Sequence, residues 1–531
     1  MKIVTSAQMQ IIDHLTSERW GVPSLTLMEN AGATVVDFLL ERYAPLEREM
    51  ILVACGKGNN GGDGLVVASL LRSKGLNPRV VLFAQPSTLR GDAGANYHRL
   101  CETGAPEAAR DTETWEALKP SLAGTTLIID ALLGTGLRRP LEGFLLNVVR
   151  DLNGFSGARR VAVDLPSGLA ADTGEVAGEC IRADACVTFT APKYAHVFPP
   201  ACEMMGEWRV EAIGTPPEKL EDDPELFLRL TGREDLRWLA TPRKLDSHKG
   251  LYGHVLFVAG SAGKTGAAAL AAKGALRAGA GLVTVATAAR ALPVIASLGM
   301  EFMTEPLPET PQGTVALRAL TDGLIERLSE GKTVLAVGPG LGGEPETAEF
   351  VRRLVAASPL PLVLDADGLN AFAGRSEELS GAGRVRVLTP HPGEMARLTG
   401  LKVAEVQQRR IELTRDFATW RQVHLVLKGA RTLTGSPDGQ VMVNPTGNPG
   451  MATGGSGDCL TGLIAGFLAQ YRSRTVADVV AAAVYVHGLA GDVAARRKGE
   501  ASMIAGDLLE GLPEALMSLT GCPARSGEPG S

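Results

Sequence analysis

Short runs of consecutive apolar, mostly β-branched residues alternate with alanine- and leucine-rich stretches of helical spacing along the whole chain. In the first part the runs lie at 50–55, 79–83, 126–130, 160–164 and 185–189, each closing on a glycine or polar loop. Runs that are apolar at every position fit strands buried on both faces, and therefore a parallel sheet covered by helices. After Gly64, LVVASLLRSKG has helical periodicity and a glycine stop. Residues 50–83 therefore predict a βαβ unit. A second series follows at 254–259, 281–286, 334–337, 362–365, 386–389 and 424–428, with alanine-rich helices between. The stretch 477–495 is apolar nearly all round, which predicts a helix inside a large sandwich. Asp478, His487 and Asp492 within it argue against a membrane span.

Between 214 and 235 the periodicity fails: GTPPEKLEDDPELF is rich in proline and acid. A linker is placed at 221–234, separating a domain at 1–220 from one at 235–520. The expected class is α/β throughout. The first domain is a Rossmann-like three-layer sandwich and the second a three-layer α/β/α domain. Charge agrees with two units: the first 230 residues carry a net charge of about -8 and the rest about +2, giving -6 in all. That balance argues against a nucleic-acid partner. Glycine, at 63 of 531 residues, exceeds the usual share of about 7%, without a collagen period. Seven cysteines with no C-x-x-C pair point to a reduced, cytoplasmic protein. The N-terminus lacks a signal-peptide core, and no membrane association is expected. Apolar helices around 9–40 are candidates for a homo-oligomer interface.

Three predicted strand ends of the first part carry polar, glycine-bearing loops. GNNGGDG contains Asn59, Asn60, Gly61, Gly62 and Asp63. Glycines there would let backbone N–H groups converge on a pyrophosphate at a helix N-terminus, without lysine. The second loop, ALLGTGLRRP, contains Gly134, Thr135, Gly136, Leu137, Arg138, Arg139 and Pro140. The third, LPSGL, contains Ser167. In open α/β sheets ligands bind outside the carboxyl ends of the strands, so the three loops point to one crevice. The two arginines are phosphate contacts or solvated loop charges. Asp130 and Asp164 end apolar strands and are helix caps, general acid/base groups or ion ligands.

The second part is richer in glycine loops. AGSAGKTGA contains Ala267, but valine at 258 stands where a Walker loop needs glycine. VGPGLG contains Gly340, TPHPGE contains His391, and LKGART contains Lys428, Gly429, Ala430, Arg431 and Thr432. NPGMATGGSGDCLTG ends the series. Its Gly455, Ser456 and Gly457 can form an anion hole at a helix N-terminus. Asp458, just beyond, can take a proton from an attacking hydroxyl. Asp365 and Asp367, in LDADGLN, are candidates to hold magnesium directly or through water, or to cap a helix.

GNNGGDG, DALLGTGL and DLPSGL, in this order, resemble the N-terminal domain of the bifunctional NAD(P)H-hydrate repair enzymes, over about residues 9–215. The resemblance implies an NAD(P)HX epimerase. Asn59, Asn60, Gly61, Gly62, Asp63, the seven residues from Gly134 to Pro140 and Asp164 would contact substrate. Asn60, Asp130 and Ser167 would ligate potassium through oxygen. Asp164 is taken as the acid/base that removes and returns the hydroxyl at carbon 6 of the hydrated nicotinamide ring. The GGSGD string resembles the ribokinase-like superfamily. The full set AGSAGKTGAA, GPGLG, DADGLN, TPHPGE, KGART and NPGMATGGSGD is similar to the ADP-dependent NAD(P)HX dehydratases, over about residues 235–515. This implies dehydration of the S hydrate with ADP as co-substrate and magnesium bound, giving NAD(P)H, AMP and phosphate. Ala267, Gly340, His391 and Asp458 would contact the hydrate, with Asp458 the base. Lys428, Gly429, Ala430, Arg431, Thr432 and Gly457 would contact the nucleotide. The alternative is a kinase of a small vitamin precursor fused to a regulatory nucleotide-binding domain. A third reading makes the first half a docking module for a partner protein.

Overall fold

The computed structural model describes residues 1–321 and 323–520 and divides into two compact units, Met1–Leu226 and Phe227–Ser531. The division falls inside the stretch 221–234. Residues Leu228–Leu230 of that stretch form a strand of the second unit.

The first unit is built on seven parallel strands: β1 (Ile51–Cys55), β2 (Arg79–Leu82), β3 (Glu107–Ala108), β4 (Leu127–Ala131), β5 (Arg159–Val163), β6 (Ala185–Phe189) and β7 (Glu207–Glu211). Their order is β3-β2-β1-β4-β5-β6-β7. The central strands β1, β4 and β6 are buried at every residue, which is why they read as unbroken apolar runs. The order reverses between β1 and β4, so the loops after these strands diverge and leave a crevice at the carboxyl edge. The edge strands β3 and β7 did not stand out in the sequence. They are polar and partly exposed, with no continuous apolar run.

The second unit carries ten strands: β8 (Leu228–Leu230), β9 (His254–Val258), β10 (Leu282–Ala288), β11 (Met303–Leu307), β12 (Val334–Val337), β13 (Leu362–Leu364), β14 (Arg386–Leu388), β15 (His424–Leu427), β16 (Leu433–Gly435) and β17 (Val441–Val443). Their order is β11-β10-β9-β12-β13-β14-β15-β16-β17-β8, reversing between β9 and β12. The sheet is parallel from β11 to β15, turns antiparallel through β16 and β17, and ends with β8 parallel to β17.

Helix Val476–Lys498 is long and apolar enough to cross a membrane by length and composition, but two thirds of its most apolar stretch is buried within the fold. Three glycines set another helix contact. A Cβ on Gly462 would meet the Ala271 carbonyl at 2.2 Å, one on Gly466 the Ala275 carbonyl at 2.7 Å, and one on Gly274 the Cys459 carbonyl at 2.8 Å. Helices Thr265–Arg277 and Ser456–Gln470 thus touch backbone to backbone. Part of the glycine excess serves this packing rather than any anion.

Candidate active sites

In the first unit, GNNGGDG is not a loop. Gly58 caps the helix Asn59–Ser73, so Asn60, Gly61, Gly62 and Asp63 lie in its opening two turns. The glycines make room for close neighbours. A Cβ on Gly61 would fall 1.9 Å from the Gly56 carbonyl, and one on Gly64 2.6 Å from the Ala131 methyl. The GTG loop comes to the same place: a Cβ on Gly134 would lie 3.3 Å from the Asn60 amide oxygen. Both amide atoms of Asn60 are buried and have no hydrogen-bond partner. Asp130 lies within β4, one residue before its end, and is fully buried. Its carboxylate accepts from the Ser167 backbone N–H (2.8 Å) and hydroxyl (2.6 Å). Burial raises its pKa to about 6, against those bonds. Arg138, Arg139 and Pro140 are exposed, and neither arginine has an ion-pair partner among the described residues.

Asp164 follows β5 with φ 63°, a left-handed conformation uncommon outside glycine but one that aspartate adopts more readily than most residues. Its carboxylate meets the buried Lys193 ammonium at 2.7 Å and accepts from the Thr188 hydroxyl at 2.9 Å. The Asp164 carbonyl lies 2.9 Å from His196 Nε2, while His196 Nδ1 accepts from the Lys193 N–H at 3.1 Å. The Nε2 nitrogen therefore carries the proton and donates. Burial holds His196 neutral, with its pKa lowered to about 4. Burial alone would raise Asp164, but Lys193, through charge and hydrogen bond, outweighs it and holds the carboxyl below its usual value.

Two further carboxyls behave oppositely. Burial, with Asp164 and Asp13 adding repulsion, holds Asp63 well above the carboxylate range. Asp13, on helix Ser6–Glu18, is raised to about 6 by burial, with Lys193 opposing, and its Oδ1 is buried without a partner. Asp13, Thr188, Lys193 and His196 were not singled out from sequence. A lysine and a histidine three residues apart just past β6 were the available signal.

In the second unit, Gly455 (φ 93°) caps the helix Ser456–Gln470, so Gly457 and Asp458 stand in its first turn. The first N–H groups of a helix have no intrahelical partner. A Cβ on Gly457 would lie 3.3 Å from Lys428 Nζ and 4.0 Å from an Asp365 oxygen. Gly340 packs on Ala267: a Cβ there would meet the Ala267 methyl at 3.1 Å. His391 caps the helix Pro392–Thr399, its Nδ1 accepting from the Gly393 N–H at 2.9 Å. Its Nε2 lies 3.5 Å from Glu394 and the side chain is half exposed.

Lys428 binds these loops together. It lies 2.7 Å from Asp365 and 3.8 Å from Glu394. Burial would lower its pKa, but the two carboxylates raise it above the usual value. Asp365 takes up no cap bond. Its second oxygen accepts from the Thr461 hydroxyl at 2.7 Å. Asp367 accepts from the Gly342 N–H (2.8 Å) and meets Lys264 at 3.0 Å. Asp458 is raised to about 7, first by burial and then by Asp365, against Lys428. Glu394 is also raised by burial. Glu394, Thr461 and Lys264 were not assigned from sequence, although Glu394 and Lys264 lie inside the motifs. Among the described residues no cluster of three or more His, Cys, Asp or Glu could cage a metal.

The two units match different families. Residues 24–195 match the family described as YjeF-related protein N-terminus, and residues 255–514 match NAD(P)H-hydrate dehydratase. Whole-length relatives carry both. The bifunctional NAD(P)H-hydrate repair enzyme Nnr of Moorella thermoacetica is 45% identical over 521 residues, covering 98% of this chain and 97% of that protein. The Thermofilum pendens enzyme of the same name is 41% identical over 520 residues, at 98% and 97% coverage. Among solved structures, the Bacillus subtilis ADP/ATP-dependent NAD(P)H-hydrate dehydratase, co-crystallised with ATP and Mg2+, is 32% identical. It covers 55% of this chain and 98% of its own, with a TM-score of 0.48. With each unit matching its own family and relatives that match from end to end, this chain belongs to the bifunctional NAD(P)H-hydrate repair enzymes.

Proposed function

We propose that the first unit epimerises the R and S hydrates of NADH and NADPH and that the second dehydrates the S form with ADP. The observation that carries this reading is the same device in both crevices. Each sets an aspartate paired to lysine and threonine beside a second aspartate whose carboxyl is pushed above its ordinary pKa by burial.

In the first unit Asp63 would protonate the carbon 6 hydroxyl, which leaves as water while the ring nitrogen lone pair forms an iminium. Water then adds from the other face and its proton returns to Asp63. Asp164, kept ionised by Lys193, contacts the substrate and stabilises that cation. Asn59, Asn60, Gly61, Gly62 and the segment from Gly134 to Pro140 line the pyrophosphate, with Arg138 and Arg139 free to meet phosphate. Asn60, Asp130 and Ser167 would hold potassium. The unpartnered Asn60 amide and one carboxylate suit a large monovalent ion, which would supply a fixed positive charge beside the ring.

In the second unit Asp458 would take the proton of the carbon 6 hydroxyl as that oxygen attacks the β-phosphorus of ADP and AMP leaves. Loss of phosphate together with the carbon 5 proton restores the ring double bond. Ala267, Gly340 and His391 border the hydrate. Lys428, Gly429, Ala430, Arg431, Thr432 and Gly457 border the nucleotide. The carboxylates of Asp365 and Asp367 already have protein partners. Magnesium, which would neutralise phosphate charge, therefore fits as an ion arriving on the nucleotide and held through water. A cytoplasmic homo-oligomer is the matching assembly, with exposed Ile11 and Leu40 available for contact. Light scattering of the purified chain tests the oligomer.

The decisive assay incubates the chain with mixed NADHX epimers and ADP. Full recovery of the dihydronicotinamide absorbance, with AMP and phosphate formed, is expected. No recovery there, with phosphorylation of an added vitamin precursor by ATP in a parallel incubation, would establish the kinase alternative.

A further inference from the structure

Arg410 opens the helix Arg410–Arg421. Its Nη1 donates to the Ala430 carbonyl at 2.7 Å. Its guanidinium lies against Gly429, where a Cβ would stand 3.2 Å from Nη2. Gly429 itself has φ 137°, a conformation that excludes most side chains and keeps the approach open. Nε and Nη2 are buried and have no hydrogen-bond partner, and Arg410 enters no ion pair among the described residues.

This is an unfavourable place for a cation on three counts. Burial penalises the charge and pulls the arginine pKa down. No carboxylate among the described residues pairs with it. The positive end of its own helix adds repulsion where an anion would be favoured. A buried, unneutralised guanidinium calls for an anion from elsewhere, and the loop it holds is the one at which the nucleotide is read to bind.

We propose that Arg410 is a binding residue of the nucleotide site: it fixes the 428–432 loop through the Ala430 carbonyl, and its charge is neutralised by the phosphates of a bound nucleoside diphosphate. The inference rests on the reading of that loop as the nucleotide site.

The test uses full-length Arg410→Gln and Arg410→Lys and measures dehydratase KM for ADP, KM for NADHX and kcat. Arg410→Gln is expected to raise KM for ADP by about tenfold or more, the usual weight of a charge-assisted contact, with kcat and KM for NADHX nearly unchanged. Arg410→Lys, which restores charge but not the planar fork, is expected to fall between. An unchanged KM for ADP in both variants overturns the inference. So does a rise in both KM values together with loss of kcat, which marks a structural role. If Arg410→Gln does not fold, the lysine variant decides by the same criteria. Gly457→Val separates the underlying reading. If it abolishes ADP use while Arg410→Gln does not, only the Arg410 inference falls. If neither changes ADP use, the nucleotide lies elsewhere and the site reading falls.

Discussion

Asp164 in the first unit and Asp365 in the second occupy nearly the same environment. Each lies 2.7 Å from a lysine and accepts from a threonine hydroxyl, Lys193 with Thr188 and Lys428 with Thr461. Asp63 and Asp458 form the other matched pair. Each follows a glycine near the start of a helix, and each is raised by burial and by neighbouring carboxylates. By electrostatic environment the counterpart of Asp458 is Asp63, and that of Asp365 is Asp164. The position of the nearest lysine sets which carboxyl of the first unit is raised and which is lowered.

The comparison breaks most visibly if the raised aspartates are neutralised. Asp458→Asn should lower dehydratase kcat by about 10²–10⁴-fold, the typical weight of a general base, and leave epimerisation intact. Following both epimers and NADH separates the two activities.

Lys193→Met should cost the first unit about 3–5 kcal/mol, because Asp164 is left as a buried, unpaired charge. Denaturant unfolding of the full chain, read on a first-unit probe such as Trp115, measures it.

The pH profiles should run in opposite directions. Asp458 must be ionised to act as base, so dehydratase kcat should fall as pH drops below about 7. Asp63 must be protonated to act as acid, so epimerase activity should fall on the alkaline side. Stability sharpens the same contrast. A raised carboxyl favours folding below its unfolded pKa and loses that contribution as pH rises through its folded pKa. Asp458→Asn should therefore be more stable than the parent at pH 8, with the gain vanishing below about pH 4. Asp164 is depressed, so its contribution is present above the unfolded pKa and lost as pH falls. Asp164→Asn should be less stable than the parent at neutral pH.

The smallest expected effect comes from the threonines. Thr188→Val and Thr461→Val each remove one bond from a carboxylate that keeps its lysine, at about 1–3 kcal/mol. Similar losses in thermal unfolding would support the matched pair.

The buried central strands were legible because burial on both faces leaves no polar position, as at β6 and β12. Edge strands such as β3 and the short β16 and β17 were not, since they carry no long apolar run. GNNGGDG and the end of GGSGD, read as loops ahead of helices, are helix starts, and several glycines in the chain let backbone meet backbone. The charge partners were hidden by sequence distance. Lys193 stands 29 residues from Asp164, and Thr461 stands 96 from Asp365. Only the fold brings them together.

The most direct measurement follows (R)-NADHX, (S)-NADHX and NADH by chromatography after adding ADP to Asp63→Asn and, separately, to Asp458→Asn. Asp63→Asn should consume the S epimer to NADH and leave the R epimer standing. Asp458→Asn should equilibrate the epimers and form no NADH. Parental conversion of the R epimer by Asp63→Asn, or NADH formation by Asp458→Asn, would contradict the account.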